Sequence, residues 1–355
     1  MKKILRDNKG SISALVVISV LLYSIVLTTA FMKASGKRRI QIQSQILAKE
    51  TYEKQLDNLD EIRDEINGGS SGYVKKNTEV TYPDGKVWIP EGFRISKDSA
   101  STVQGGVVIE DKDLNQFVWV PVATLADYKR TWYTEYDSFS SYSEALPEDE
   151  KTSVERYKGF YIGRYEAGDK DSTEASTPDL RTWSSSTSNK ISIKANQAPY
   201  NYVTRTQAVS LSEGFSTKQG YKAKTKLVSS YAWDTTIAFI EKTVNNYGSS
   251  SSQGNYSNTS VTYKDITDES KPEKTKAENS SLLVATGQTT PVCNIYDMGG
   301  NVFEWTTESY SDTDSPDAYR GGNFSFHFAD FPAGGRGYGP AGAYDIVGFR
   351  LTLFM

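Results

Sequence analysis

Three hydropathy patterns follow one another along the chain. Residues 11–32 carry no charge and consist mainly of Ile, Leu, Val and Ala, which is enough helix to cross a bilayer. Between residues 42–66 apolar side chains recur every three or four positions with charged residues between them, and this predicts an amphipathic stalk helix. The Gly- and Ser-rich start of the segment 67–79 ends that helix and predicts a linker. A globular domain is therefore predicted at 80–355.

The globular part begins with short β patterns and continues with two helical ones. Its β patterns are rich in β-branched and aromatic residues and are bounded by Gly, Pro or Asp. The predicted strands are 86–90, 106–110, 117–122 and 159–167, and the predicted helices are 202–215 and 232–247. Two polar stretches, 248–260 and 265–279, are predicted to be exposed insertions. This pattern is typical of an α+β domain.

Charge and residue usage exclude two kinds of site. A formal net charge of −4 and a pI of about 5.4 give no electrostatic reason to expect nucleic-acid binding. The chain has one cysteine, Cys293, and one histidine, His327, so it can form neither an internal disulfide nor a Cys/His zinc site. We expect no cofactor, and any metal would have oxygen ligands.

Two acidic features near the end of the chain have alternative interpretations. Asp297 and Asn301 are candidate calcium ligands, although their turn is read first as a bend that depends on its glycines. Glu304, between two aromatic residues, is interpreted as a buried acid that binds either loop amides or an arginine such as Arg350. We expect its removal to unfold the domain.

The N-terminus resembles the prepilin signal of type IV pilins and pseudopilins. A basic leader, residues 1–10, ends in Lys-Gly directly before the apolar helix, and its cations would keep that end in the cytoplasm. The resemblance implies that a prepilin peptidase cuts between Gly10 and Ser11 and that the helix packs with other pilins in a filament. Major pilins carry Glu at the fifth mature position, whereas this chain has Leu15, which favours a minor or tip subunit.

Two alternatives to a pilin remain open at the N-terminus. One is a plain signal-anchored surface protein, and the other is a cleaved secretory signal, for which residues 11–32 are too long. In the anchored forms the chain is held in the membrane through residues 11–32, and its C-terminal domain lies outside, at the bacterial cell surface.

Six short motifs occur in the globular part, at 117–122, 161–167, 227–234, 294–305, 319–322 and 348–351. Their order resembles that in the formylglycine-generating enzyme, or sulfatase-modifying factor, family. The resemblance covers residues 80–355 and implies a C-type-lectin-like fold, in which N- and C-terminal strands pair and large loops build one exposed face.

The reactive residues of that family are missing from this chain. Its active members use two cysteines a few residues after the Arg-Gly-Gly motif, and the matching positions hold Phe326 and Phe331. Cys293 lies upstream of the preceding motif, and no Ser/His/acid arrangement is indicated, so His327 is interpreted as a surface or contact residue. We therefore expect that the protein is not an enzyme.

The segment 323–347, between Arg-Gly-Gly and Gly-Phe-Arg, has an unusual composition. It contains aromatics, Gly, Ala, Ser, Asp and one His, but no Lys, Glu, Gln, Met or Trp. Variable proteins of diversity-generating retroelements resemble this chain in fold and bracket their mutated segment in the same way. An Asn codon ending in a pyrimidine, when randomised at its first two bases, cannot encode those five residue types.

The segment is accordingly interpreted as a binding face for a protein or cell-surface ligand. Its predicted contact residues are Phe324, Phe326, His327, Phe328, Asp330, Phe331, Gly335, Gly337, Tyr338, Tyr344 and Asp345. About half are expected to be true contacts, because alternate positions of a strand point inward. A closing loop with buried aromatics is the plainer alternative.

Three functional hypotheses result from the sequence. The first is a surface-displayed, pilin-like ligand-binding or adhesion protein. The second is a structural minor pilin or filament-cap subunit without a specific ligand. The third is a degenerate enzyme of the sulfatase-modifying type.

Overall fold

The computed structural model describes residues 72–133, 138–169, 191–264 and 272–355. All of them belong to one compact unit, which extends from Ile62 to Met355. The predicted leader with its cleavage site Gly10–Ser11, the apolar helix and the stalk lie outside the described residues. Among the residues that are described, no helix is long and apolar enough to cross a membrane.

The described residues form eighteen strands and five α-helices. The first nine strands are β1 Thr78–Tyr82, β2 Gly85–Ile89, β3 Arg94–Ile95, β4 Val108–Glu110, β5 Gln116–Pro121, β6 Tyr142–Ser143, β7 Gly159–Gly163, β8 Gly168–Asp169 and β9 Ile191–Ser192. The others are β10 Ala198–Pro199, β11 Lys224–Leu227, β12 Val261–Tyr263, β13 Lys274–Lys276, β14 Phe303–Tyr310, β15 Asp317–Arg320, β16 Arg336–Gly339, β17 Val347–Phe349 and β18 Leu351–Phe354. The helices are α1 Val103–Gly106, α2 Glu148–Tyr157, α3 Arg205–Gln219, α4 Ser230–Glu241 and α5 Tyr247–Ser250, with 3₁₀ turns at Leu125–Asp127 and Phe139–Ser141.

An antiparallel six-stranded sheet forms the centre of the domain, in the order β11-β18-β7-β5-β4-β3. Its strand β5 is buried along almost its whole length, which explains its unbroken apolar sequence. Val118 and Ile162 of this sheet pack in one hydrophobic cluster with Trp233 and Ile237 of α4. Burial of such side chains is the main stabilising contribution to the fold.

Local sequence signals set the limits of the two long helices. Thr204 and Gln207 form a reciprocal capping box at the start of α3, and Gly220 ends that helix with a φ of +74°. The hydroxyl of Ser229 accepts a hydrogen bond from the amide of Ala232 at the start of α4.

A five-stranded sheet carries the C-terminal motifs. Its order is β16-β15-β14-β17, and β6 pairs with the far end of β14. Trp305, Tyr319 and Gly337 lie opposite one another across three strands, while Glu304 and Arg320 belong to the next row, on the other face. The two faces of this sheet therefore present different chemistry.

The predicted α+β class is confirmed, and the predicted strands correspond to β2, β4, β5 and β7. The two helical predictions correspond to α3 and α4, but α4 ends at Glu241, and Asn246, inside the predicted range, adopts a φ of +57° that a helix does not contain. The first and last strands are not neighbours: β1 pairs with β2, while β18 lies between β11 and β7.

The prediction of an exposed loop at 248–260 is wrong for its second half. Asn255 and Tyr256 are fully buried. The Asn255 amide donates to the carbonyl of Leu282 at 2.8 Å, and the Tyr256 hydroxyl donates to the carbonyl of Gly321 at 3.0 Å. Tertiary hydrogen bonds thus draw a polar stretch into the interior. Residues 265–271 of the other predicted insertion lie outside the described part.

Candidate ligand-binding face

A buried ion pair links strand β14 to the residue between β17 and β18, directly after the segment 323–347. Arg350 donates from Nε to both carboxylate oxygens of Glu304, at 3.1 and 3.0 Å, and from Nη2 to Oε1 at 2.7 Å. Both side chains are fully buried, so the predicted pairing of Glu304 with Arg350 is confirmed. Burial raises the pKa of the Glu304 carboxyl, although Arg350 opposes that rise.

A second buried network holds the middle of the segment. Arg336 donates to Asp234 at 2.7 Å and to Glu308 at 2.8 Å, and Arg320 of the Arg-Gly-Gly motif also pairs with Asp234. Burial of Glu308 is outweighed by its neighbours Arg320 and Arg336, which lower the pKa of that carboxyl. Arg336 is therefore a structural residue inside the segment that was interpreted as a display surface.

Three predicted contact residues are corrected by the structure, because Phe324, Gly335 and Gly337 are buried. The Phe324 ring packs in a small hydrophobic cluster with Leu283 and Val302. The Gly335 carbonyl accepts a hydrogen bond from Arg320 at 2.9 Å.

The third buried position, Gly337, is required by a close approach. A Cβ atom there would lie 2.2 Å from Cε2 of Tyr319. This buried glycine makes room for the tyrosine ring of the neighbouring strand.

Six aromatic rings on one face of the five-stranded sheet are in continuous contact, and we call them the aromatic run. In order they are Tyr344, Trp305, Tyr319, Phe303, Phe331 and Phe326, with centroid separations between 4.4 and 6.3 Å. Trp305 and Phe303 are buried, whereas Phe326 at the end of the run is 39% exposed. The run thus joins a rigid interior to an exposed apolar tip.

A short turn presents polar groups next to that tip. The amides of Asp330 and Phe331 donate to the carbonyl of His327, at 3.1 and 3.2 Å. His327 and Asp330 are exposed, while Phe331 and Phe328 are half-buried. The turn therefore offers an imidazole and a carboxylate beside the phenylalanine rings.

The polar loop before β12 supports this turn from behind. Ser257 donates to the carbonyl of Phe326 at 3.0 Å, and the Asn258 side chain accepts from the amide of Phe328 at 3.2 Å. The Phe328 ring contacts Tyr256 at a centroid distance of 6.1 Å. Sequence patterns missed these supporting residues, since their polar composition has no periodicity that would indicate burial.

The C-terminal part of the segment is held by the loop before α3. The Tyr344 carbonyl accepts from the amide of Tyr202 at 2.9 Å, and the Asp345 carbonyl accepts from the Asn201 side chain at 2.6 Å. Tyr344 and Asp345 are half-buried, so both side chains retain exposed surface.

Tyr338 lies apart from the aromatic run. It pairs with Ala318, one row away from the Tyr319–Gly337 pair, so its side chain leaves the opposite face of the sheet. Its ring is 42% exposed and stacks on Tyr310 with centroids 3.7 Å apart. The predicted contact residues are therefore divided between two faces.

The two positions that the resemblance equates with reactive cysteines are neighbours. The rings of Phe326 and Phe331 are in edge contact, with centroids 5.1 Å apart. Cys293 is buried elsewhere, in the cluster that contains α4, and burial raises the pKa of its thiol. A raised thiol pKa disfavours the nucleophilic thiolate.

The candidate calcium ligands already have partners within the chain. Asp297 accepts hydrogen bonds from the amide of Gly287 at 2.7 Å and the hydroxyl of Thr289 at 2.6 Å. Asn301 accepts from the Asn255 side chain at 2.9 Å. Among the described residues, no three His, Cys, Asp or Glu side chains form a metal-binding group. The positions act in loop support, and calcium binding stays an untested prediction.

Comparison with known proteins identifies the domain. The family model for the sulfatase-modifying factor enzyme 1-like domain matches residues 65–353. A search of curated proteins gives no match.

Three solved structures are similar at low identity. The crystal structure of CarF is 16% identical, with a TM-score of 0.37, and the match covers 56% of this chain and 87% of that one. PvdO from Pseudomonas aeruginosa is 15% identical, with a TM-score of 0.39 and coverages of 70% and 98%. Treponema denticola variable protein 1 is 13% identical, with a TM-score of 0.38 and coverages of 68% and 96%. At these TM-scores the three similarities do not indicate a shared function.

Proposed function

Since this chain belongs to the family of sulfatase-modifying factor enzyme 1-like domains, we propose that it has kept the family's fold and uses it to bind a ligand instead of to catalyse a reaction. The protein would be a surface-displayed, pilin-like ligand-binding or adhesion protein of a bacterium. Its partner, a protein or other cell-surface ligand, would bind the face built by residues 323–347.

The exposed tip of the aromatic run is the observation that carries this proposal. Phe326 is 39% exposed, although it continues a row of rings that is otherwise buried or half-buried. An aromatic side chain held by such packing loses little conformational entropy when a partner covers it, and it has a large area to bury. Phe326 with Phe331 would form the apolar centre, and His327 with Asp330 the polar edge.

The same two phenylalanines are the reason to propose binding without catalysis. They occupy the positions that the family resemblance assigns to the cysteine pair, and the chain has no second thiol to replace it. Turnover of a sulfatase peptide by the wild-type chain would overturn this part of the proposal.

A binding selection tests the proposed face. A random peptide library displayed on phage would be selected against the full-length chain in detergent and then counter-screened on Phe326→Ala and Leu114→Ala. Leu114 is a matched control, because it is 50% exposed and lies in a separate turn, between β4 and β5. We expect enriched peptides that lose binding to Phe326→Ala and keep it on Leu114→Ala. If the enriched peptides bind Phe326→Ala as well as they bind the wild-type chain, the proposed binding face is wrong.

Diversification of the segment is a further part of the proposal. The neighbouring DNA would contain a near-copy of the end of the gene that differs only at adenines and lies beside a reverse transcriptase. Under this proposal, adenines should mark codons of exposed positions such as Phe326 and His327 and spare those of the buried Phe324 and Arg336. Unchanged ligand binding with altered filament assembly after a loop exchange would instead favour a structural minor pilin.

A further inference from the structure

A second aromatic cluster lies on the other face of the five-stranded sheet. Its rings, in order of contact, are Tyr338, Tyr310, Tyr142, Trp132 and Phe139, with centroid separations between 3.7 and 5.9 Å. The two ends of the cluster are exposed, Tyr338 by 42% and Phe139 by 39%. Phe139 and Tyr338 are thus two of the most exposed large hydrophobic side chains of the described residues.

Guanidinium groups lie directly beneath these rings. The guanidinium carbon of Arg130 is 4.6 Å from the Phe139 centroid, and that of Arg336 is 5.3 Å from the same ring and 5.5 Å from Trp132. Each arginine in turn pairs with the buried carboxylate of Glu308, Arg130 at 2.6 Å and Arg336 at 2.8 Å. From the interior outward, the layers are carboxylate, guanidinium and aromatic ring.

The edge of the cluster is acidic. The turn between β14 and β15 carries Asp312 and Asp314, both exposed. It is joined to the cluster at two points, because Ser311 donates to the carbonyl of Ser141 at 2.9 Å and the amide of Tyr310 donates to the carbonyl at position 316. The turn that carries the two carboxylates is therefore hydrogen-bonded to the 3₁₀ turn that contains Phe139.

The described basic residues near the cluster already have other acidic partners. Arg130 and Arg336 are already paired with Glu308. Lys129 is exposed next to Arg130, but it interacts with Asp127. The outermost layer thus combines exposed rings with negative charge. The half-buried guanidinium of Arg130 and the buried one of Arg336 occupy a similar environment one layer deeper.

An open cleft adjoins the cluster at Tyr142. It has a volume of about 720 Å³, and its lining includes Arg130, Glu144, Glu213 and Lys226. Both of its basic residues are already paired, Lys226 with Asp149 at 2.9 Å and Arg130 with Glu308 at 2.6 Å. The cleft gives a bound chain room to continue past the rings.

We propose that this surface binds an arginine-bearing segment of a partner protein, whose guanidinium stacks on the exposed rings and pairs with Asp312 and Asp314. Arginine suits the site better than lysine, because its planar, weakly hydrated group stacks on aromatic faces and forms paired hydrogen bonds with carboxylates. The bound arginine would add a further guanidinium layer outside the sequence of carboxylate, guanidinium and aromatic ring described above. This inference does not depend on the proposed function, since Tyr338 and the aromatic run lie on opposite faces.

A labelled-peptide titration tests the inference. Fluorescein-labelled Gly-Arg-Gly-Arg-Gly would be titrated with the full-length chain in detergent and followed by fluorescence anisotropy. Its counterparts with citrulline, which has the shape of arginine without the charge, and with lysine serve as matched probes. We expect the citrulline peptide to bind at least about tenfold more weakly than the arginine peptide, and the lysine peptide to bind with intermediate affinity.

Protein variants complete the test. Asp312→Asn/Asp314→Asn and Phe139→Ala should each weaken binding of the arginine peptide, whereas Phe326→Ala should not. Asp312 and Asp314 are exposed, so their substitution should leave folding unaffected, and an asparagine side chain at position 312 can still accept the hydrogen bond that Asp312 receives from the amide of Asp314. Thermal unfolding of Phe139→Ala, whose ring also packs on Trp132, checks that this variant is folded. Equal binding of the citrulline or lysine peptide, or an equal loss in Phe326→Ala, would overturn the proposal.

Discussion

Arg350→Met gives a quantitative test of how the binding segment is held. The substitution keeps a long apolar side chain but removes three hydrogen bonds to Glu304, whose carboxylate is fully buried. Breaking one side of a buried ion pair costs about 3–5 kcal/mol, because the remaining charge has neither water nor a partner. For a domain of this size that corresponds to a decrease in Tm of roughly 10 °C.

A double-mutant cycle separates the pair from its surroundings. Arg350 also donates to the carbonyls of Gly163 and Tyr296, both at 2.9 Å, so part of the loss in Arg350→Met belongs to those groups. Glu304→Met/Arg350→Met should be less destabilised than the sum of its single variants, with a coupling of about 2 kcal/mol measured by chemical denaturation. If the losses of stability in the two single variants simply add up in the double variant, the idea that the pair joins β14 to the chain after the segment 323–347 is refuted.

The pH dependence of the single variant supplies an independent check. Without Arg350, burial and the neighbouring Asp297 both act to raise the pKa of the Glu304 carboxyl, which in the folded state therefore rises further above the unfolded value. The folded variant then binds the extra proton, so its stability falls as pH rises above the unfolded pKa and recovers as pH falls. The difference from wild type should therefore be smaller in mild acid than at neutral pH, and a difference that grows in acid would contradict the assignment.

Three further outcomes are expected. In isothermal titration, Phe326→Ala should weaken the binding of a selected peptide about 30-fold relative to Leu114→Ala. The reason is that the 39% exposed part of a side chain of roughly 200 Å² contributes about 2 kcal/mol at roughly 25 cal/mol per Å². An equal effect of both variants would contradict this. Gly337→Ala should destabilise the domain by about 1–3 kcal/mol in thermal unfolding, because the new Cβ would meet the Tyr319 ring at 2.2 Å, and the same change should cost less when it is made in a Tyr319→Ala background, where that ring is absent. Burial raises the pKa of Glu144 from 4.5 to about 7, so its contribution to stability should fall as pH rises from 4.5 to 7, and Glu144→Gln should flatten the measured profile over that range.

The sequence predicted the parts of this fold that rest on local patterns. The strand β5 and the helix α3 follow from an apolar run and from the helical spacing of apolar residues, and the pairing of Glu304 with Arg350 follows from an acid placed between two aromatic residues. These features depend on residues that are close in the chain or on the general cost of burying a charge.

Other features depend on contacts between distant segments. Phe324 and Phe326 differ in burial although they are two residues apart, because residues 323–331 form turns, in which the two-residue period of a strand does not hold. Tyr256 is buried, and its hydroxyl donates a hydrogen bond to Gly321, which is distant in the chain. No local sequence pattern predicts such a contact. The place of Tyr338 on the second face depends on the register of β16 with β15, and a shift of one residue would have reversed it.

The opposite orientations of Tyr319 and Tyr338 give the strand pair β15–β16 a consequence for avidity. Partners that cover the two faces would be separated by the thickness of one sheet and would not compete for the same side chains. A multivalent target that reaches both faces would then bind its second site at a high effective concentration, so that two individually weak contacts could sustain firm attachment. Substitutions on one face would then leave the binding contacts of the other face unchanged.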